Sequence, residues 1–80
     1  MLPPYSTEAA DLKPGIYQHY SGKRYEVVGV GRHSESLEEL VIYRALYAPH
    51  DFWVRPLTMF IETVEIEGQT TLRFKLVESR

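Results

Sequence analysis

Between Arg32 and Phe60 the chain concentrates side chains capable of chemistry: His33, Tyr43, Arg44, Tyr47, Trp53 and Arg55 share that stretch with apolar residues fit for a core. A guanidinium offers a rigid fork of donors to a carboxylate or phosphate. An indole face accepts a planar ring or a cation, and a neutral imidazole both donates and accepts near physiological pH. These types imply a binding module for a small anionic or planar ligand, or for a peptide or nucleic-acid segment presenting such groups. His33, Arg44, Tyr47, Trp53 and Arg55 are its candidate ligand-binding residues. Tyr17, Tyr20, Tyr25 and Tyr43 are further candidates to line the pocket, with rings inside and hydroxyls at the rim.

Other chemistries find less support. His33-Ser34-Glu35 holds the residue types of a hydrolytic triad, but a triad needs a base bonded to the nucleophile and an acid bonded to the base, which three consecutive residues seldom achieve. The expectation there is a polar loop in which Ser34 or Ser36 caps a turn. His19, His33 and His50 form no close ligand pair, so no metal is expected, and His19 and His50 read as surface or strand-edge histidines. Gly29-Val30-Gly31 does not extend to a phosphate-binding glycine loop, so no nucleotide cofactor is expected either.

The weight of Arg44 depends on the element that carries it. As a helix, Ser34 to Ala48 would begin with a capping box from Ser36 to Glu39, but Arg44 would interrupt its apolar stripe and leave no clean polar face. As a strand, Leu40 to Tyr47 places Val41, Tyr43, Ala45 and Tyr47 on one side and Leu40, Ile42, Arg44 and Leu46 on the other, the pattern of a strand covered on both faces. The strand reading is preferred. A guanidinium so placed requires a counter-charge, and for Arg44 and Arg55 alike the alternative to a bound anion is an internal pair with Glu26, Glu35 or Glu62.

The surrounding pattern is also β-rich. Residues 1–12 read as a flexible or loosely docked tail, and residues 13–80 as one small domain. Gly15 to Tyr20 and Lys23 to Val28 form a hairpin about Ser21-Gly22, and Gly29 and Gly31 permit a bend. Phe52 to Arg55 resumes as a short strand that Pro56 ends or places at an edge, and Leu57 to Phe60 is a single helical or 3₁₀ turn. A second hairpin, turning at Gly68-Gln69, alternates through Val77. Closure of these strands would remove sheet edges, so the expected architecture is mostly β, a small SH3-like barrel.

Composition bounds the rest. The 80 residues include no cysteine, which excludes disulfides and thiol catalysis, and 11 acidic against 9 basic residues give a net charge of −2. Such a balance lacks the basic stripe that draws nucleic acid by its backbone, although stacking on Trp53 and the tyrosines leaves single strands open. The amino terminus has no secretory pattern, and no run of about 20 apolar residues suits a membrane span, so a cytoplasmic domain is expected. The competing reading is a protein-interaction or homodimer module acting through an open strand edge or the carboxy-terminal hairpin.

Several segments in order carry a family resemblance: Gly15-Ile-Tyr-Gln-His-Tyr20, Tyr25-Glu-Val-Val, Arg32-His-Ser-Glu-Ser, Val41-Ile-Tyr-Arg-Ala-Leu-Tyr47 and Trp53-Val-Arg-Pro-Leu-Thr-Met-Phe60. Over roughly residues 13 to 62 the chain resembles the bacterial domain-of-unknown-function family 1653. The resemblance implies a compact bacterial domain with an SH3-like fold and adds no activity.

Overall fold

The computed structural model describes residues 2–80. Its elements are α1 (Thr7–Asp11), β1 (Gly15–His19), β2 (Arg24–Arg32), β3 (Glu39–Ala45), β4 (Phe52–Pro56), α2 (Leu57–Phe60), β5 (Thr63–Ile66), β6 (Gln69–Leu72) and β7 (Phe74–Ser79). Five strands make one antiparallel sheet in the order β4-β3-β2-β1-β7, and β5 pairs with β6 separately.

The alternation along β3 decides how the sheet is covered. Val41, Tyr43 and Ala45 are buried, and their cross-strand neighbours Val30, Val27 and Tyr25 on β2 lie on the same side, as directly paired residues must. Against this face pack Ala9 of α1, Leu57 and Phe60 of α2, Tyr17 and Phe74. Phe60 and Phe74 stack with centroids 4.1 Å apart, and Tyr17 meets Phe60 edge-on at 5.5 Å. The other face corrects the two-sided expectation. Leu40, Ile42 and Arg44 are only half-buried there, and Phe52 and Val54, which pair with Arg44 and Ile42, are exposed.

The sheet does not close into the expected barrel. β4 and β7 are its two outer strands, because β5 and β6 turn back on each other instead of bridging them. The second hairpin is also shorter than its alternation implies. It turns at Glu67 and Gly68, both at positive φ, and ends at Leu72, after which β7 crosses back to pair with β1. The change of partner is driven by Phe74, whose ring belongs to the aromatic core of the main sheet. A register shift between Val27 and Gly29 bends β2 where the two glycines allow it, and the α-hydrogen face of Gly31 admits Ile42 Cδ1 to within 3.2 Å of where a Cβ would stand.

Within residues 1–12, expected as a flexible or loosely docked tail, Thr7–Asp11 form the helix α1. Ser6 caps it by accepting from the Ala9 N–H at 3.1 Å, and Ala9 enters the core. Glu39, read from sequence as half of a capping box with Ser36, binds this cap instead: the Ser6 N–H and Oγ each donate to its carboxylate at 2.7 Å. These bonds, and more weakly the charge of Arg32, hold the Glu39 carboxyl below its usual 4.5. A depressed folded-state pKa contributes stability above the unfolded value and loses it as pH falls through the folded one. Acidification from neutrality to below 4.5 is therefore expected to loosen α1. The Ala9 methyl resonance should move toward its unfolded position across that range, whereas Glu39→Gln should remove the pH dependence; a methyl shift insensitive to both would contradict the tie.

Candidate functional site

The strand register separates the two arginines. Arg44 pairs with Phe52 and Arg55 with Val41, so the two guanidinium groups leave opposite faces of the same sheet. On the outer face Arg44 finds an internal partner, its Nη2 donating to Glu26 Oε1 at 3.1 Å, with Arg80 on the other oxygen at 3.9 Å. The counter-charge for Arg44 is thus a glutamate.

Arg55 has a different environment. It is half-buried on the core face, its Nε donates to Tyr43 Oη at 3.4 Å, and its guanidinium lies 5.7 Å from the Phe74 centroid. Among the described residues three ion pairs form, Arg44–Glu26, Arg73–Glu62 and Arg80–Glu26, and Arg55 belongs to none. Trp53 stands on the same side two residues away, directly across from Tyr43 and half exposed. Tyr25 packs edge-on against Tyr43, Phe74 and Tyr47, and its hydroxyl meets that of Tyr47 at 2.6 Å. Burial, then the bond to Tyr47, pushes the Tyr25 phenol up to about 12, so it stays a neutral donor or acceptor at physiological pH. Lys23 lies over the outer side of this group, 4.8 Å from the Tyr47 centroid.

His19, expected as a surface or strand-edge histidine, joins this cluster. It follows Tyr17 by two positions on β1, which turns it to the core face, and its ring meets Phe74 edge-on at 4.9 Å. Burial, then the charges of Arg55 and Arg73, lowers its pKa from the usual 6.5. The Ser21 N–H donates to Nδ1 at 3.1 Å, which leaves the proton of the neutral ring on Nε2. Arg73 donates to Glu62 at 2.6 Å through Nη2, while its buried Nε has no partner among the described residues. The parity shared with Tyr17 is the sequence signal for His19; nothing local signals Arg73, since its neighbours come from other parts of the chain.

His33 stands apart from this group. It opens the loop between β2 and β3, where Nδ1 accepts the N–H groups of Glu35 at 3.1 Å and Ser36 at 3.3 Å, and Ser36 Oγ accepts from Glu38 at 3.2 Å. The imidazole thus orders the turn, and the bonds of its accepting nitrogen go to backbone, not to the Ser34 hydroxyl as a triad would require. No group of three or more potential metal ligands occurs among the described residues.

A solvent-open cleft of about 540 Å³ lies near the other edge of the sheet, where Gln18, His19, Tyr20 and Lys75 face Thr71 and Leu72 of β6. His19 borders both it and the Arg55 cluster. The cleft carries a solvated lysine and neutral polar groups, whereas Arg55 is a partly desolvated charge without a carboxylate.

These features define a class of small, open antiparallel-sheet domain with an arginine set among aromatic rings on its covered face. Over residues 15–76 the chain matches the family described as protein of unknown function DUF1653, and it belongs to that family. A crystal structure of a DUF1653 protein from Bordetella bronchiseptica is similar, with 34% identity over 90% of this chain and 95% of that one and a TM-score of 0.82. No curated protein matches the chain. No helix among the described residues is long and apolar enough to cross a membrane.

Proposed function

We propose that this domain is a binding module that takes a planar, anionic ligand on the ledge formed by Arg55, Trp53 and Tyr43, with the Tyr25–Tyr47 pair and His19 at its margin. The observation that carries the reading is Arg55: a half-buried guanidinium held among aromatic rings, with one long bond to a phenol and no carboxylate. Its remaining N–H groups suit two oxygens of a phosphate or carboxylate, and the half-exposed Trp53 face on the same side suits a ring attached to that anion. Arg44 and His33, engaged with Glu26 and with loop backbone, are not assigned to it.

The test is an NMR titration with inorganic phosphate, adenosine and adenosine monophosphate. Adenosine monophosphate should shift the Arg55 Nε–H and the Trp53 indole together and bind more tightly than either fragment. Arg55→Gln should weaken it by roughly tenfold or more, as loss of a charged hydrogen bond does, with Arg55→Lys intermediate because a point charge replaces a fork. Resonances unmoved by all three compounds at millimolar concentration, or an affinity indifferent to Arg55→Gln, would defeat the proposal.

A further inference from the structure

The free side of β4 presents a second recognition element. β4 is an outer strand, and three consecutive large side chains on it, Phe52, Trp53 and Val54, are 64, 50 and 56% exposed. Such an edge pairs readily with another strand unless it is blunted. The backbone register tells which of its groups are available. The Ala45 N–H donates to the Asp51 carbonyl at 2.9 Å, so residues 45 and 51 are a hydrogen-bonded pair. The antiparallel alternation then turns the backbone groups of Trp53 and Arg55 toward β3 and those of Phe52 and Val54 outward. Pro56 also stands at an outward position, where its missing N–H costs the sheet nothing.

We propose that this edge pairs with β4 of a second copy of the chain, antiparallel, about a two-fold axis at Trp53. An axis at Trp53 or at Val54 sets outward groups of one strand opposite outward groups of the other. If the axis passed through Val54, Phe52 would face Pro56, which has no N–H to give and whose carbonyl, at the cap of α2, is directed into that helix. With the axis at Trp53, Phe52 of each copy faces Val54 of the other, and all outward N–H groups of both strands find carbonyls. This register also sets Asp51 of one copy across from Arg55 of the other, twice by symmetry, on the side that carries Trp53. It thereby offers a carboxylate to Arg55, which joins none of the ion pairs among the described residues. The two Trp53 residues become close cross-strand neighbours. The occupant is a second copy because the strand is complementary to itself in donors, in charge and in its exposed apolar side chains.

An edge of five residues buries less than the roughly 800 Å² per partner of a standard interface, so the dimer should be reversible, with a Kd on the order of micromolar to tens of micromolar. Sedimentation velocity of the full chain over a wide concentration range should show this equilibrium. Val54→Pro removes an outward N–H that plays no part in pairing with β3 and should raise the Kd at least tenfold while leaving the monomer folded. Asp51→Arg should raise it as well, by placing like charges opposite each other. A chain that stays monomeric near millimolar concentration would overturn the proposal, as would a dimer whose Kd neither substitution changes. Asp51 of the second copy would stand against the same guanidinium that the proposed ligand needs, so dimerisation and ligand binding compete. Val54→Pro separates them, because it removes the dimer while leaving the Arg55 ledge open, and adenosine monophosphate binding to that variant tests the ligand reading alone.

Discussion

Phe60→Ala is expected to remove most of the stability of the domain. The ring is 1% exposed, stacks on Phe74 at 4.1 Å, and touches Tyr17 and Tyr43 with centroids at 5.5 Å, so its loss opens the centre of the aromatic cluster. Truncation of a buried phenylalanine costs about 3–5 kcal/mol, against a total of roughly 4–12 kcal/mol for a chain of this length. No disulfide supplements the core. Urea denaturation followed by circular dichroism should show a large fall in the midpoint, or an unfolded baseline in buffer. A midpoint within experimental error of the parent would mean that the cluster does not hold the sheet and α2 together.

Gly15→Ala should also be severe, for a reason of backbone and not of core volume. Gly15 lies between Val27 on β2 and Ser79 on β7, with φ of 150°, and a Cβ there would overlap the Glu78 carbonyl oxygen and stand 2.9 Å from Ser79 Cα. The conformation alone costs an L-residue about 1–3 kcal/mol, and the overlap with a paired strand adds to it. Thermal unfolding should move down by roughly 4–8 °C for each kcal/mol lost. Gly29→Ala is the matched control, because a Cβ there meets nothing within 4 Å. Equal Tm values for the two variants would show that the β1–β7 contact is not tight at Gly15.

Periodicity is a local property, and the features that depend on it alone are legible in the amino-acid sequence. The β3 strand, with Val41, Tyr43 and Ala45 against Arg44, follows from a period of two, as does the opposition of Tyr17 to Ile16. The short turn of α2 after Pro56 and the edge position of that proline follow from local stereochemistry. Strand partnership is not local. Alternation runs unbroken from Leu72 to Leu76, yet Phe74 pairs across the sheet with His19, and the expected barrel closure fails at that point. The site divides in the same way. Trp53 and Arg55 share a side by parity alone, but that Arg44 opposes them requires the β3–β4 register. The bonds of Glu39 to Ser6 and of Arg73 to Glu62 join distant segments that no spacing rule connects.

The pairing of β1 with β7 has a consequence for the order in which the molecule can form. β1, near the start of the chain, has one neighbour in β2 that arrives through a short hairpin and another in β7 that must come from the far end. Contacts of such sequence separation slow folding, because the loop is closed before the contact rewards it. During synthesis at roughly 5–20 residues per second, Phe60 emerges before Phe74, and until β7 follows, its ring lacks its stacking partner and β1 remains an open edge. The nascent chain therefore passes through an interval in which the Phe60 ring and the β7 side of β1 are uncovered. Translation pauses after α2 would lengthen that interval, and with it the opportunity for capture by a chaperone or by another unfinished chain.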